Sequence, residues 1–423
     1  MEKLYVYADF DWLDSPELVG ELSYESLRGS DSYGFRYDNE WLNRHGSLTL
    51  SDDLNNYPGQ QYTHPGRDIF GCFSDALPDR WGRTLLNRRE QIEALAEGRP
   101  VRRLSSFDYL VGIDDASRMG GFRFRKSPDG EFLNAQVGLK IPPMTQLRDL
   151  IAASKEIERS EEMNVLPEQR WITQLVNPGS SLGGARPKAS VVDDDQSIHI
   201  AKFPSRKDDY DVAAWEHVAH LLAKKAGINV AQTRLISTED NHHTLLSRRF
   251  DRTDDGRRIH FASALSLSGL SDGDNATNGH GYLDIVDFII QSCTDVETNL
   301  EELYRRVAFN IAIGNTDDHF RNHGFLLTRK GWTLSPAYDI NPTTNFYQSL
   351  LINNDTNESS LKILLDSAED YMLPKTRAKE IMNEVLVAIS DLQRLTTRNG
   401  ISKRECDLFD LPARISKLKS ELK

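Results

Sequence analysis

The sequence has no apolar run long enough to cross a membrane and very little cysteine. Among its 423 residues are three cysteines, Cys72, Cys293 and Cys406, which are far apart and form no Cys-x-x-Cys pair. They cannot build a disulfide framework or, by themselves, a zinc site, which favours a reducing compartment. No segment approaches the roughly 18 apolar residues of a transmembrane helix. The acidic start MEKLYVYADFDWLD lacks the form of a signal or transit peptide. We therefore expect a cytoplasmic protein without a membrane segment.

A surplus of basic residues is also missing. Acidic residues outnumber Lys and Arg by 64 to 51, which gives a net charge of −13. A protein that grips DNA by itself needs a basic face to neutralise phosphates, and no helix-turn-helix pattern stands out. We do not expect a metal-dependent hydrolase, because no complete zinc-ligand motif stands out. The composition thus predicts that this chain does not bind DNA alone.

The first part of the chain combines short alternating strands with one amphipathic helix. The segments KLYVYADF, GSLTL and GFRFR alternate apolar and polar residues, as half-buried strands do. LPDRWGRTLLNRREQIEALAE has helical spacing, with an apolar face formed by Leu85, Leu86, Ile92 and Leu95. We predict three parts: an α/β module over 1–130, a linker and a second group of strands over 131–255, and a helical part over 256–423.

A glycine-rich stretch, two strands and a helix follow one another in the middle part. NPGSSLGGARPKAS precedes SVV and SIHIAKF, and a helix with a buried stripe then begins near Asp208–Asp211 and ends at Gly227. Further strands are predicted at TRLIST and HTLLSRRF. This order is typical of kinases, in which a glycine-rich loop covers phosphates, a strand lysine neutralises them and a helix glutamate pairs with that lysine.

Lys202 and Glu216 stand where that lysine and that glutamate are expected. Period-two alternation places Lys202 on one face of its strand together with Ile198 and Ile200. Glu216 borders the buried stripe of the helix. Each residue also has a plain structural explanation: an edge-strand lysine that extends its ammonium to water, and a solvated helix glutamate.

The segment IGNTDDHFRNHGF, residues 313–325, follows the helix-like apolar run LYRRVAFNIA. Asp317 and Asn322 have the Asp-x4-Asn spacing of a kinase catalytic loop, whereas Asp318 is one residue too close to Asn322. A second carboxylate, Asp339, lies in LSPAYDINP, and Mg²⁺ takes one or two protein oxygens together with phosphate and water. We therefore expect Asp317 to be the base. Asn322 and Asp339 are the expected metal ligands, and His319 a residue that positions the loop.

The pattern differs from that of ordinary protein kinases, because no His-Arg pair precedes Asp317 and YDI replaces Asp-Phe-Gly. It resembles the HipA family, the serine/threonine kinases of bacterial type II toxin–antitoxin pairs. The resemblance covers nearly the whole chain, in the segments LPDRWG, SRMGGFRF, SSLGGARPKA, IHIAKFP, SRRFDR, IGNTDDHFRNHGFLL and LSPAYDINP. It implies an α+β, bilobal kinase-like (HipA-like) fold with an N-terminal α/β module and an all-helical C-terminal lobe.

By position, the resemblance implies roles for the remaining residues. Lys202, with Glu216 as its helix partner, and Lys188, a second lysine of the glycine-rich loop, would bind ATP. Gly183 and Gly184 would let backbone amides approach the phosphates. The stretch Arg249, Phe250 and Asp251 would be the hinge that binds adenine through its backbone. Relatives commonly have an acidic residue at the position of Arg248, and this difference should have little effect on a contact made by the backbone. Ser181 matches an autophosphorylated serine, and Ser180 is the neighbouring alternative.

The resemblance implies an ATP- and Mg²⁺-dependent protein serine/threonine kinase that acts as a toxin. Its implied substrate is a translation component such as an aminoacyl-tRNA synthetase. Its implied partner is a HipB-like helix-turn-helix antitoxin, through which alone it would contact DNA. The alternative is a kinase-like scaffold or co-repressor without turnover. The presence of Lys202, Asp317, Asn322 and Asp339 argues against it, because a degenerate kinase usually lacks one of these groups.

Overall fold

The computed structural model describes residues 1–27, 30–64, 67–135, 141–179, 184–238 and 242–422. The chain forms two compact units, each built from two segments. The first unit contains Met1–Lys207 and Leu246–Ala262, and the second contains Asp208–Leu245 and Ser263–Lys423. The three-part division at residues 130 and 255 stays a prediction. Among the described residues, no helix has both the length and the apolar composition that a bilayer crossing requires.

The strands and helices of the first unit begin with an antiparallel sheet. Its strands are β1 (Glu2–Ala8), β2 (Glu17–Leu27), β3 (Ser30–Tyr37), β4 (Gln61–Tyr62) and β5 (Phe122–Arg125), in the order β4-β3-β2-β1-β5. Its helices are α1 (Asn39–His45), α2 (Gly71–Ser74), α3 (Arg80–Glu97), α4 (Ser106–Gly112), α5 (Leu147–Glu162) and α6 (Gln169–Gly179). The strands β6 (Lys188–Val192) and β7 (Ile198–Lys202) follow.

The predicted elements of this unit are mostly present. KLYVYADF, GFRFR and LPDRWGRTLLNRREQIEALAE form β1, β5 and α3, and Leu85 and Leu86 are buried as expected, although Leu95 is exposed. The strand predicted at GSLTL is wrong. There the side-chain amide of Asn56 donates to the carbonyls of Gly46 and Leu48, so a side chain takes acceptors that a neighbouring strand would use.

The second unit is dominated by helices. They are α7 (Val212–Lys225), α8 (Ala264–Leu267), α9 (Tyr282–Ser292), α10 (Val296–Ile313), α11 (Leu361–Asp366), α12 (Lys375–Ile389), α13 (Leu392–Arg398), α14 (Lys403–Phe409) and α15 (Leu411–Glu421). Its strands are β8 (Thr233–Ser237), β11 (Gly324–Thr328) and β12 (Gly331–Leu334). Two strands, β9 (His243–Arg248) and β10 (His260–Ser263), cross the boundaries between the segments of the two units.

The C-terminal part is not all-helical, which corrects one detail of the predicted fold. GFLLT and GWTL form the antiparallel hairpin β11–β12, in which Phe325 is paired with Leu334 and Leu327 with Trp332. All four of these side chains are buried, whereas the residues between them are partly exposed. Apolar residues at every second position therefore give the hairpin one buried face, which a helix with the same sequence would not have.

Candidate active site

The catalytic-loop candidate begins where α10 ends, and a buried carboxylate holds it in place. Asp318 accepts hydrogen bonds from the Tyr282 hydroxyl at 2.7 Å, Asn310 Nδ2 at 2.7 Å and His323 Nε2 at 2.8 Å. Burial by itself would raise the pKa of Asp318, but the His323 imidazole and these hydrogen bonds outweigh it and lower the pKa. Asp318 thus anchors the loop to α9 and α10 as a charged group.

Asp317, the preceding residue, has a different environment. Its side chain remains exposed, while Asp318 is buried. The atoms packed around the Asp317 carboxyl group raise its pKa, the His319 imidazole lowers it, and the negative charges of Asp339 and Asp318 raise it, with a net rise. An exposed carboxylate with a raised pKa is better suited to accept a proton than an ordinary aspartate is.

Asn322 and Asp339 supply the other oxygens of this loop region. Asn322 Nδ2 donates to the backbone carbonyl of Asp317 at 3.3 Å, which fixes the amide and leaves its oxygen on the opposite side. Asp339 has a φ of +58°, a left-handed conformation that side-chain-bearing residues seldom adopt. Asn341 Nδ2 lies 3.4 Å from Asp339 Oδ1.

These oxygen donors fit a magnesium ion that also binds phosphate. Within the described part of the chain, no group of three or more His, Cys, Asp or Glu side chains is arranged to hold a metal ion by itself. Mg²⁺ usually takes one or two carboxylates and completes its octahedron with substrate phosphates and water. Asn322 and Asp339 provide hard oxygens of that kind, so their roles as metal ligands stay a prediction that the chemistry of the donors favours.

In the first unit, the two candidate nucleotide lysines are neighbours across the β6–β7 pair. Lys188 is directly opposite Lys202, and Ala189 is opposite Ala201. Directly opposed residues of an antiparallel pair project from the same face of a sheet. The two ammonium groups therefore belong to one face, which is the arrangement that a polyanionic ligand such as a nucleotide phosphate would require. The sequence places these lysines fourteen residues apart and does not reveal this pairing.

Lys188 is buried and forms an ion pair that the sequence did not indicate. Its Nζ lies 2.9 Å from Asp79 Oδ2, and the two side chains are 2% and 6% exposed. Asp79 also caps α3, because its other oxygen accepts from Gly82 N at 2.6 Å. The LPDRWG segment, at the start of α3, thus supplies a contact to the glycine-rich region.

The hinge candidate is held through its side chains as well as its backbone. The Arg249 guanidinium donates to both Asp251 oxygens and to the carbonyls of Ser117 and Arg118. Asp251 Oδ2 also accepts from Gly120 N at 2.8 Å. Arg249 N donates to Ile198 O at 2.9 Å, so part of the backbone is engaged too. The contact of this stretch with adenine stays a prediction. It would be made by those backbone groups of the stretch that are not engaged in these bonds.

The other predicted site residues are less fully described. Glu216 is 3% exposed on α7, so it is not a solvated helix glutamate. Its pairing with Lys202 stays a prediction. Gly184 adopts the left-handed φ of +91°. Ser180, Ser181 and Gly183 lie outside the described residues. The residues that sequence reasoning missed are Asp79 and the partners of Asp318, because each acts through a contact made across the fold.

Two sequence models of one protein family match most of this chain. The sequence model of the HipA-like C-terminal domain matches residues 180–392, and that of the HipA N-terminal domain matches residues 12–107.

The chain belongs to the HipA family.

Relatives of this chain carry kinase names. The serine/threonine-protein kinase toxin HipA of Shewanella oneidensis is 24% identical over 352 residues, which cover 76% of this chain and 72% of that protein. A putative kinase of Haemophilus influenzae is 26% identical over 215 residues, which cover 46% of this chain and 60% of that protein. At the level of the family, this chain is a HipA-like serine/threonine kinase toxin.

A solved structure supports the fold. The structure described as the Shewanella oneidensis MR-1 toxin–antitoxin system HipA, HipB and its operator DNA complex matches 99% of this chain and 96% of the other, with a TM-score of 0.64. The sequence identity is 16%, so the match establishes the fold alone. The α+β, kinase-like fold expected from the sequence is therefore confirmed.

Proposed function

We propose that this HipA-family chain transfers the γ-phosphoryl group of ATP to serine or threonine hydroxyls of a protein substrate, with Mg²⁺. The observation that carries the proposal is the difference in environment between the two adjacent aspartates, Asp317 and Asp318. Asp318 is buried and fixed by three hydrogen bonds, and Asp317 is exposed with a pKa that burial of its carboxyl group and the charge of Asp339 raise. One carboxylate holds the loop while the other is presented to substrate.

In the proposed reaction, Asp317 accepts the proton of the acceptor hydroxyl as that oxygen bonds to the γ-phosphorus. The bond between the γ-phosphorus and the bridging oxygen breaks, and ADP leaves. Asn322 and Asp339 would hold Mg²⁺, which offsets phosphate charge when bound. Lys202 and Lys188 would contact the nucleotide phosphates, with Glu216 orienting Lys202. Such catalysis rests on positioning and charge, and little covalent chemistry is required of the protein.

Partner and substrate follow from the family. We expect a HipB-like helix-turn-helix antitoxin, because the structural relative is a HipA, HipB and operator DNA complex, and we expect DNA contact only through it. A translation component such as an aminoacyl-tRNA synthetase is the expected substrate, and the cytoplasm the expected location. Autophosphorylation of Ser181 or Ser180 would add about −1.5 to −2 charge beside the ATP phosphates, and this should open the loop and switch the enzyme off.

The test is incubation of the purified chain with γ-labelled ATP and Mg²⁺, alongside an Asp317→Asn variant. Label on the protein, lost in the variant, supports the kinase. Release of free phosphate without labelled protein would indicate a hydrolase, and no turnover at all would favour a scaffold. Peptide mapping of the labelled protein should locate the phosphate at Ser181 or Ser180. A labelled site elsewhere would refute the proposed autoinhibition but not the proposed kinase activity.

A further inference from the structure

The start of α3 contacts both ends of the segment from Gly184 to Lys188. At one end, the backbone N–H of Trp81 donates to the carbonyl of Gly184 at 3.4 Å. At the other, the Trp81 indole N–H donates to the carbonyl of Lys188 at 3.0 Å, and Asp79 pairs with the Lys188 ammonium. All of these groups belong to the first unit. A short piece of helix therefore determines where this half of the glycine-rich region lies.

The Lys188 ammonium lies close to the backbone of Gly184. A Cβ added at Gly184 would lie 3.1 Å from Lys188 Nζ, closer than side chains normally pack. Gly184 is exposed, and its lack of a side chain lets its backbone lie this close to the ammonium. An anion that approaches the backbone of Gly184 would meet this charge. Asp79 binds the same ammonium.

Lys188 needs a counter-charge at this position for two reasons. It is directly opposite Lys202, and like charges at directly opposed positions destabilise a sheet. It is also almost fully buried, where an ammonium without a hydrogen-bonded anion is strongly destabilising. Without Asp79, the ammonium would turn away from Lys202 or the segment would shift. Either change would displace Lys188 Nζ from Gly184.

We propose that Asp79 is a positioning residue for nucleotide binding, because it holds the Lys188 ammonium charged and in place close to Gly184. The anionic group that meets this ammonium is a phosphate of the nucleotide. The start of α3, in the N-terminal module, is then part of the nucleotide site rather than only a support for the sheet. This inference rests on the proposed function, because it requires that the chain bind a nucleotide.

Equilibrium binding of Mg-ATP to the full chain tests the proposal, with Asp317→Asn as the background so that no turnover occurs. Asp79→Asn removes the charge but keeps a side chain that caps helices well. A lost charge-assisted hydrogen bond typically costs a factor of about 10 to 100, so we expect at least a tenfold rise in Kd. Asp38→Asn is the matched control. Asp38 caps α1 in the same unit by accepting from Glu40 N and Trp41 N, and its change should leave Kd unaltered.

A double-mutant cycle separates positioning from simple loss of structure. Lys188→Met should weaken Mg-ATP binding, and adding Asp79→Asn to it should cause no further loss, because Asp79 acts through Lys188. Thermal unfolding is followed for every variant, and Asp79→Ser, which also caps, replaces Asp79→Asn if that protein is unfolded. A Kd within twofold of the background for the folded Asp79 variant, or additive effects with Lys188→Met, overturns the inference. If the background protein itself does not bind Mg-ATP, the proposed function fails as well.

Discussion

Removal of the Asp251 charge should destabilise the first unit far more than the loss of an ordinary ion pair. Asp251 is buried and accepts four hydrogen bonds: from Arg249 Nε and Nη2, Arg252 Nη1 and Gly120 N, all between 2.7 and 2.8 Å. Burial would raise its pKa, but the two guanidinium groups outweigh burial and hold the pKa well below the usual range of aspartate. The charge is therefore present throughout the neutral range.

The magnitude follows from what Asp251→Asn would leave behind. Arg249 and Arg252 are also buried, at 0% and 7% side-chain exposure, and would lose their shared anion. The loss of one partner of a buried ion pair typically costs about 3–5 kcal/mol. The matched control is Asp254→Asn. Asp254 pairs with Arg248 at 2.7 Å, but its side chain is 94% exposed, so its loss should leave stability unchanged within error.

Hydrogen exchange followed by mass spectrometry is the appropriate assay, because two compact units need not unfold in a single transition. Amides of residues 117–125 and 246–262 should exchange roughly 100-fold faster or more in Asp251→Asn. Amides of α10 in the second unit should be unaffected. If Asp251→Asn matches Asp254→Asn in both segments, the buried network does not hold the first unit together and this reasoning is wrong.

Three further predictions concern the site, pH and DNA. Asp317→Asn should abolish phosphoryl transfer but spare Mg-ATP binding, and normal activity of this variant would show that Asp317 is not the base. Asp339→Asn should raise the Mg²⁺ concentration that transfer requires, and a normal Mg²⁺ titration would show that Asp339 is not a metal ligand. Burial lowers the pKa of His260 from 6.5 to about 3. As the pH falls, His260 therefore binds a proton in the unfolded chain before it does in the folded chain. The free energy of unfolding should fall by up to about 1.4 kcal/mol per pH unit as the pH drops from 6.5 towards 3. His260→Gln should flatten the pH profile measured by urea unfolding. Finally, the purified chain should bind operator-like DNA weakly at physiological salt; nanomolar affinity in a gel-shift titration without a partner would refute this.

Local patterns in the sequence were enough to find several elements of the site. The helix predicted from near Asp208–Asp211 to Gly227 is α7, and its buried stripe contains Trp215, Ala219 and Leu222. The segment LYRRVAFNIA correctly predicted the end of α10. The alternation around Lys202 predicted β7. Each of these signals lies within about fifteen residues, where the period of apolar residues directly reflects which face is buried.

Features that depend on distant contacts could not be predicted in this way. The sequence shows two adjacent aspartates, but only the positions of Tyr282, Asn310 and His323 determine that Asp318 is the buried one. Asp79 and Lys188 are separated by 109 residues, and no spacing rule connects them. The strand β2 was missed as well, since Glu17, Glu21 and Glu25 give ELVGELSYESL a charged side that resembles a loop or a helix.

The discontinuous first unit has a consequence for synthesis of the chain on the ribosome. Residues 117–121 are complete early. Arg249, Asp251 and Arg258, which bind that stretch, are translated only after the whole of the second unit's first segment. The 55 residues that follow Lys207, up to Ala262, take roughly 3–11 s to synthesise at 5–20 residues per second. During that interval, the buried Arg118 and its neighbours have no finished core around them. A nascent chain that stalls before residue 262 should therefore be a good target for proteases, which would limit the release of partly made toxin.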